Sequence, residues 1–307
     1  MLQLLFSNSD GIEHMDPYRK SMAELVRAAL DEDIGRGDLT SLGCLEPNPA
    51  KARIIAKSNG ILSGVEPALL VFRITDSANV VSFLLNDGDR FTRGDIIAEI
   101  EGFNRTILIS ERVVLNFLGH LSGIATMTRQ FVDRIKELPC KILDTRKTTP
   151  AWRHLEKKAV TDGGGTNHRL GLYDMILIKD NHIASAGSIA EAVAGAREFL
   201  ASPEFRTQFG GDAQKVAIEV EVANEQQLTE AIATKVDCVM LDNQSPESLK
   251  SLVGVARKLD PDIKLEASGN VSLDNVAETA ATGVDYISVG AITHSAPSAD
   301  FSLLFVT

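Results

Sequence analysis

At 307 residues the chain is long enough for two domains, and 44% hydrophobic with 24% charged residues is an ordinary globular composition. A formal net charge of −11 argues against nucleic-acid binding, which needs a broad basic face, and no run reaches the ~18 consecutive apolar residues of a membrane span. Cys44, Cys140 and Cys238 form neither a CxxC nor a zinc spacing, which points to a reducing, cytoplasmic setting.

Residues 1–15, MLQLLFSNSDGIEHM, have no basic start and lose their apolar run at Phe6, so they read as a loose leader rather than a signal peptide. Ser21–Leu30 has the spacing of an amphipathic helix with Leu25, Val26 and Ala29 on one face. The DEDIGRGDLTS that follows reads as a polar loop or a lid over a ligand. From Lys51 to Arg105 the pattern is short strands and turns, with an Asn59-Gly60 hairpin signal and two Gly-Asp turns at Gly88-Asp89 and Gly94-Asp95. Such turns resemble those of biotinyl and lipoyl carriers, but no lysine lies between Phe72 and Leu108 to be modified, so the sheet is read as structural.

Ile107–Ile135 reads as a long apolar helix linking two domains, with a break expected near Gly119 and Gly123. At its head, Arg112 is either one half of a solvated helix-end pair with Glu111 or an arginine presented to an anion across a subunit boundary. After Pro139 strands and helices alternate. Strands are expected at 141–145, 175–179, 216–222, 238–242, 263–268 and 286–290. Ser188 with Glu191 and Asn224 with Gln227 fit capping boxes, and Ser245-Pro246 fits an N-cap followed by proline at the first helical position. Six strand–helix units imply a parallel sheet that curls into a barrel, and no Gly-x-Gly-x-x-Gly follows a strand to suggest a dinucleotide fold.

In such barrels the ligand sits at the carboxyl ends of the strands. Here those ends carry Asp144-Thr145-Arg146-Lys147, Lys179-Asp180-Asn181-His182, Glu219 with Glu221, Asp242-Asn243, Ser268-Gly269-Asn270 and Gly290-Ala291. A strand buried on both faces should read as nearly continuous apolar residues, so polar ends on all of them suggest a site. Blander readings accompany several of these groups. Lys179 could be a structural ion-pair lysine, Glu219 and Glu221 could pair with core arginines, and Gly163-Gly164-Gly165 could be a flexible loop. Lys157 and Lys158 read as a solvated helix face, His154 as structural, and His168 beside Arg169 as the better ligand contact. Arginine and lysine suit carboxylates and phosphates, while Glu221 and Asp242 suit sugar hydroxyls or bound Mg²⁺. Backbone N–H groups of Ser268-Gly269-Asn270 and Val289-Gly290-Ala291 suit a phosphate. Together they describe a phosphorylated sugar and an acidic partner.

DTRKTTP, GGGTNHR, LIKDNH, EVEV, LDN, EASGN and SVGAITHSAPSADFSL resemble the quinolinate phosphoribosyltransferases, the carboxylating nicotinate-nucleotide pyrophosphorylases. The resemblance is dense from Asp144 to Leu303 and extends back through ERVVLNFLGHLSGIAT to GRGDLTS. It implies an N-terminal α/β sandwich domain with the linking helix over 16–127, then an incomplete TIM-like α/β barrel over 128–307. It also implies a homodimer that converts quinolinate and 5-phosphoribosyl 1-diphosphate (PRPP) to nicotinate mononucleotide, diphosphate and CO₂ with Mg²⁺.

Carried onto this sequence, the resemblance implies that Thr145, Arg146, His168, Arg169 and Lys179 line the quinolinate pocket, with Arg112 entering from the partner subunit. Lys147 and Lys179 would lie near PRPP phosphates, and Glu221 and Asp242 would hold ribose hydroxyls and Mg²⁺. Ser268, Gly269, Asn270, Val289, Gly290 and Ala291 would hold the 5-phosphate. The competing readings are a phosphoribosyltransferase of this fold acting on another aromatic acid, an aldolase with Lys179 as Schiff-base lysine, and a non-catalytic carrier.

Overall fold

A computed structural model describes residues 16–306, so the reading of the leader lies outside the described residues. In chain order the elements are α1 (Pro17–Ile34), α2 (Leu39–Cys44), β1 (Pro49–Ala56), β2 (Gly60–Ile61), α3 (Val65–Thr75), β3 (Val80–Phe83), β4 (Arg90–Phe91), β5 (Ile96–Phe103) and α4 (Asn104–Ile135). They continue with β6 (Lys141–Leu143), α5 (Arg153–Asp162), β7 (Ile176–Ile178), α6 (Asp180–Ala186), α7 (Ile189–Ala201), α8 (Pro203–Phe209), β8 (Ile218–Val222), α9 (Glu225–Ala233), β9 (Cys238–Asp242) and α10 (Pro246–Leu259). Last come β10 (Lys264–Ser268), α11 (Val276–Ala280), β11 (Tyr286–Ser288), α12 (Ala291–His294) and β12 (Phe301–Phe305). Two compact units emerge. One takes the described chain through Arg129, Lys147–Gly164 and the chain from Ile292; the other takes Gln130–Arg146 and Gly165–Ala291.

The first unit holds an antiparallel sheet in the order β12-β1-β5-β3. The expected Asn59-Gly60 hairpin does not form, because β1 pairs with β5 and β12 while β2 pairs with β4. The two Gly-Asp turns do form, and they are built alike. Asp89 accepts the Asn86 N–H at 2.8 Å and Asp95 accepts the Thr92 N–H at 2.7 Å, each carboxylate closing its own turn. α1 begins earlier than its periodicity suggests, since Asp16 caps it and Pro17 opens it. Its buried face is Met22, Ala23, Val26 and Leu30, rotated from the Leu25–Val26–Ala29 face expected from spacing. GRGDLTS is not all loop: Asp38 accepts the Thr40 and Ser41 N–H groups and starts α2.

α4 is one unbroken helix of 32 residues. By length and composition it could cross a membrane, but 67% of its most apolar stretch is buried, as a core helix requires. Its glycines serve close approach rather than a break. The chain at 297–299 crosses α4 so tightly that a Cβ on Gly123 would lie 2.3 Å from the Pro297 carbonyl oxygen. On α5 the expected solvated lysine face is half wrong: Lys157 is buried, while Lys158 pairs with Asp162 and, at 3.8 Å, with Asp87.

The second unit is a six-stranded, all-parallel sheet in the order β6-β11-β10-β9-β8-β7. The first strand pairs with the last, and the ladder is left open between β6 and β7; this is the incomplete barrel that the sequence predicts. The predicted caps close as expected. Glu191 N–H donates to Ser188, Gln227 N–H to Asn224 and Ser248 N–H to Ser245, with Pro246 opening α10.

Strand side chains alternate between two faces. Val220, Val239, Leu241, Leu265 and Ile287 are fully buried on one face, and each such burial stabilises the unit by about 1.5–3 kcal/mol. The register sets Glu221 opposite Met240, Met240 opposite Glu266 and Asp242 opposite Ser268. Glu219, Glu221, Asp242, Glu266 and Ser268 therefore share the other face, and the site is built there.

Candidate active site

The carboxylates of this polar face lie in two tiers. The upper tier is Glu221 and Asp242, at the strand ends. Lys179, just past β7, donates from Nζ to Glu221 Oε2, and the Glu221 side chain is 15% exposed. Asp242 Oδ2 accepts the Asn243 side-chain amide at 2.7 Å. The lower tier is Glu219 and Glu266, each 1% exposed.

Two buried carboxylates this close do not both ionise easily. Burial first, and the charge of Glu219 second, raise the Glu266 carboxyl well above its ordinary range; a hydrogen bond from the Ser288 hydroxyl to Glu266 Oε1 works the other way. Burial, then Glu219 and Glu266, also push the Cys238 thiol far up, so it is an unreactive neighbour of the pair.

His168 reaches this pair. Its Nε2 lies 3.2 Å from Glu219 Oε2 and 3.5 Å from Glu266 Oε2. One histidine and two carboxylates within 4.8 Å of one another could in principle hold a metal ion. The ring argues otherwise. His168 Nδ1 accepts the Arg169 backbone N–H at 2.7 Å, so Nδ1 carries no hydrogen and the ring proton sits on Nε2. A protonated Nε2 donates to the glutamates and has no lone pair for a cation.

The cations stand above. Arg169 donates from Nη1 to the Met175 carbonyl at 3.2 Å. Burial and then the neighbouring Arg146 hold its guanidinium below the ordinary value, opposed by Asp174 and Glu219. The charge of Arg146 thus acts on Arg169, a repulsion that an anionic ligand would relieve.

The loops after β9 and β10 interlock. Asn243 and Asn270 both have left-handed backbone, the Asn270 side-chain amide donates to Asn243 Oδ1 at 3.3 Å, and the Asn243 N–H donates to the Ser268 carbonyl at 2.8 Å. Gly269, at φ +93, passes so near that a Cβ would lie 2.1 Å from Asn243 Oδ1.

The parallel strands of the second unit thus carry Arg146, Lys179, Glu221, Asp242 and Ser268–Asn270 at their carboxyl ends, while His168 lies against Glu219 and Glu266 and the charge of Arg146 reaches Arg169. One expectation changes. Val289 is 1% exposed and its N–H donates to the Leu143 carbonyl at 2.9 Å, so that group belongs to the sheet and cannot also bind a phosphate. His168 lies with its Nδ1 accepting the Arg169 N–H and its Nε2 against Glu219. Sequence reading missed Glu266 and Ser288, and named Asn243 only as part of a polar strand end. A carboxylate in the middle of the apolar run KLEAS was the available signal for Glu266.

Arg112 and Lys147 belong to the first unit. Arg112 is exposed on α4 and lines a cavity of about 500 Å³ with Asn116, His120, Trp152 and Asp300. The wall of that cavity is ordered. Trp152 stacks on Phe117 at 4.8 Å, and His120 Nε2 lies 2.8 Å from the buried Glu156. Lys147 is exposed, and its carbonyl accepts the Thr293 hydroxyl at 2.8 Å.

Comparison with known proteins agrees with this architecture. The profile described as quinolinate phosphoribosyl transferase, C-terminal domain, matches residues 124–304, and that of the N-terminal domain matches residues 38–122. The chain is 47% identical over 274 residues to a probable nicotinate-nucleotide pyrophosphorylase [carboxylating] of Bacillus subtilis, covering 89% of both chains. It is 43% identical over 277 residues to the Synechocystis protein of the same name, covering 90% of both. The solved nicotinate-nucleotide pyrophosphorylase from Francisella tularensis superposes with a TM-score of 0.87 at 40% identity, covering 97% of this chain and 100% of that one. With profiles matching both domains and relatives this similar along nearly the whole chain, the protein belongs to the quinolinate phosphoribosyltransferase family.

Proposed function

We propose that the chain transfers the phosphoribosyl group of PRPP to quinolinate, releasing diphosphate and CO₂ and giving nicotinate mononucleotide, a step that feeds NAD synthesis. The observation that carries this reading is the row of charged and polar residues at the strand ends, Arg146, Lys179, Glu221 and Asp242, with Arg169 near enough for the charge of Arg146 to act on it. Two such guanidiniums suit the two neighbouring carboxylates of a pyridine diacid, each bound in two-pronged fashion.

In this reading Thr145, Arg146, His168, Arg169 and Lys179 hold the acid, and a homodimer brings Arg112 to it from the partner subunit. Lys147 and Lys179 lie near PRPP phosphates, while Ser268, Gly269, Asn270, Gly290 and Ala291 receive the 5-phosphate. Glu221 and Asp242 offer hard oxygens on one face of neighbouring strands, a donor set that suits Mg²⁺ when substrate oxygens complete the shell. Bound there, Mg²⁺ would supply positive charge to the departing diphosphate.

The residues then have separate tasks. The arginines orient the ring so that its nitrogen lone pair lies in line with the ribose C1. As the C1–O bond breaks, diphosphate leaves with the electron pair and C1 becomes cation-like. The carboxylates of Glu221 and Asp242 favour that centre, and the lysines favour the departing anion. With the new N–C1 bond made, the ring nitrogen is positive. It accepts the electrons released when the adjacent carboxylate leaves as CO₂, and the carbon left behind takes up a proton. No protein nucleophile is used.

A panel of pyridine carboxylates offered with PRPP tests the reading. Quinolinate should react and nicotinate should not; the reverse would assign the chain to another aromatic acid.

A further inference from the structure

We propose that Glu156 is a positioning residue for PRPP: its carboxylate fixes the backbone of the strap that presents Lys147. Glu156 lies on α5 and is fully buried. Burying a carboxylate is costly unless hydrogen bonds hold it, and the transfer chemistry gives this one no task. Both of its oxygens are engaged inside the first unit. Oε1 lies 2.8 Å from His120 Nε2 on α4, and Oε2 accepts the Thr149 N–H at 3.2 Å. Thr149 follows Lys147 by two residues, so the buried group acts on the backbone beside the exposed lysine.

The strap needs holding because it contains strained backbone. The Trp152 N–H donates to the Thr149 carbonyl at 3.1 Å, with Pro150 and Ala151 at the corners of the turn. Ala151 has φ +68, the left-handed sign that a type II turn requires at its second corner and that glycine adopts most readily. An alanine persists there only where its surroundings over-determine the path of the chain. Three consecutive residues ahead of the turn are each tied by a separate bond. The Thr293 hydroxyl donates to the Lys147 carbonyl at 2.8 Å, Arg153 Nε donates to Thr148 Oγ1 at 3.0 Å, and Glu156 takes the Thr149 N–H. The last of these ties is backed by α4. The His120 ring meets Trp152 edge-on at 5.2 Å, and Trp152 stacks on Phe117 at 4.8 Å.

This inference rests on the reading that Lys147 meets PRPP phosphates, and the experiments separate the two. Steady-state kinetics would be measured for Glu156→Ala, for Glu156→Gln, for Lys147→Ala, and for the double variant with alanine at both positions. Glu156→Ala should raise the KM for PRPP about tenfold and leave the KM for quinolinate within about twofold, because only the lysine strap is misplaced. Glu156→Gln keeps an oxygen for the Thr149 N–H, and its amide can donate to His120 in the other ring tautomer. It should return the PRPP KM to within about threefold of the unmodified protein. The double variant should cost no more than about twofold beyond Lys147→Ala, since no lysine is left to position. An unchanged PRPP KM in Glu156→Ala, equal rises in both KM values, no recovery in Glu156→Gln, or multiplied losses in the double variant would each overturn the proposal. If Lys147→Ala leaves the PRPP KM unchanged, the assignment of Lys147 itself fails.

Should the variants fold poorly, amide hydrogen exchange in the unmodified protein gives an independent answer. Thr149 is an exposed residue, yet its amide should exchange at least about a hundredfold more slowly than an unstructured one, because it is bonded to a buried carboxylate. Exchange at the unstructured rate would mean that Glu156 does not hold the strap and would end the proposal.

Discussion

Lys179 and Glu221 form an ion pair across the ends of neighbouring strands, Lys179 Nζ donating to Glu221 Oε2, with 42% of the lysine side chain exposed. With the lysine this open to solvent the pair contributes little to folding, and in the proposed reading its placing serves the ligand. Lys179→Ala should lower kcat by about 10²–10³, as expected for losing a preorganised positive group, while stability changes by less than about 1 kcal/mol. Kinetics beside a denaturant melt would check both. A large loss of stability with ordinary kcat would make the lysine structural.

Arg146→Ala should abolish quinolinate binding and leave PRPP binding intact. Arg146→Lys should recover little, because a point charge does not reproduce the fork that grips a carboxylate. Titration calorimetry with each substrate separately reads this directly; equal loss of both ligands would contradict the pocket.

The protonation of Glu266 should appear in the pH dependence of stability. Its folded-state pKa is raised by burial and by Glu219 above the ordinary 4.5. The folded protein therefore holds a proton that the unfolded chain gives up, so stability falls as pH rises from about 4.5 through the raised value and levels off above it. Glu266→Gln keeps the shape without the titration and should flatten that decline. Thermal unfolding midpoints across this range would show it, and identical slopes in both proteins would mean that the pair does not share a proton as described.

If Arg112 serves the partner's site, mixing inactive Arg112→Ala with inactive Lys179→Ala should restore activity, because a mixed dimer contains one site with neither change. No restoration would confine Arg112 to its own subunit.

In the core of the first unit, Gly123→Ala would force a methyl group to 2.3 Å from the Pro297 carbonyl oxygen. The backbone has to move, and the expected cost is about 1–3 kcal/mol, read from a denaturant melt.

The barrel was legible in the sequence because its strands announce themselves twice, by short apolar runs and by the capping residues that start the next helices. Cys238–Asp242 falls where its pattern puts it, and Ser188, Asn224 and Ser245 cap as their spacing predicts. The candidate site was legible for a related reason: charged residues cluster at the tips of otherwise apolar strands, where burial without a partner is costly. Other features depend on contacts between residues far apart in sequence. β12 pairs with β1 across some 250 residues, and no local pattern names that partner. Asn59-Gly60 looks like a hairpin until β5 and β12 occupy both edges of β1. The buried nature of Lys157, Glu219 and Glu266 was hidden because a sequence shows charge but not depth.

The most direct test follows carbon. Quinolinate labelled in the carboxylate next to the ring nitrogen, incubated with the protein, PRPP and Mg²⁺, should release labelled CO₂ in a one-to-one ratio with nicotinate mononucleotide, and only when all components are present. Nucleotide formed without CO₂, or no turnover of quinolinate at all, would contradict the account.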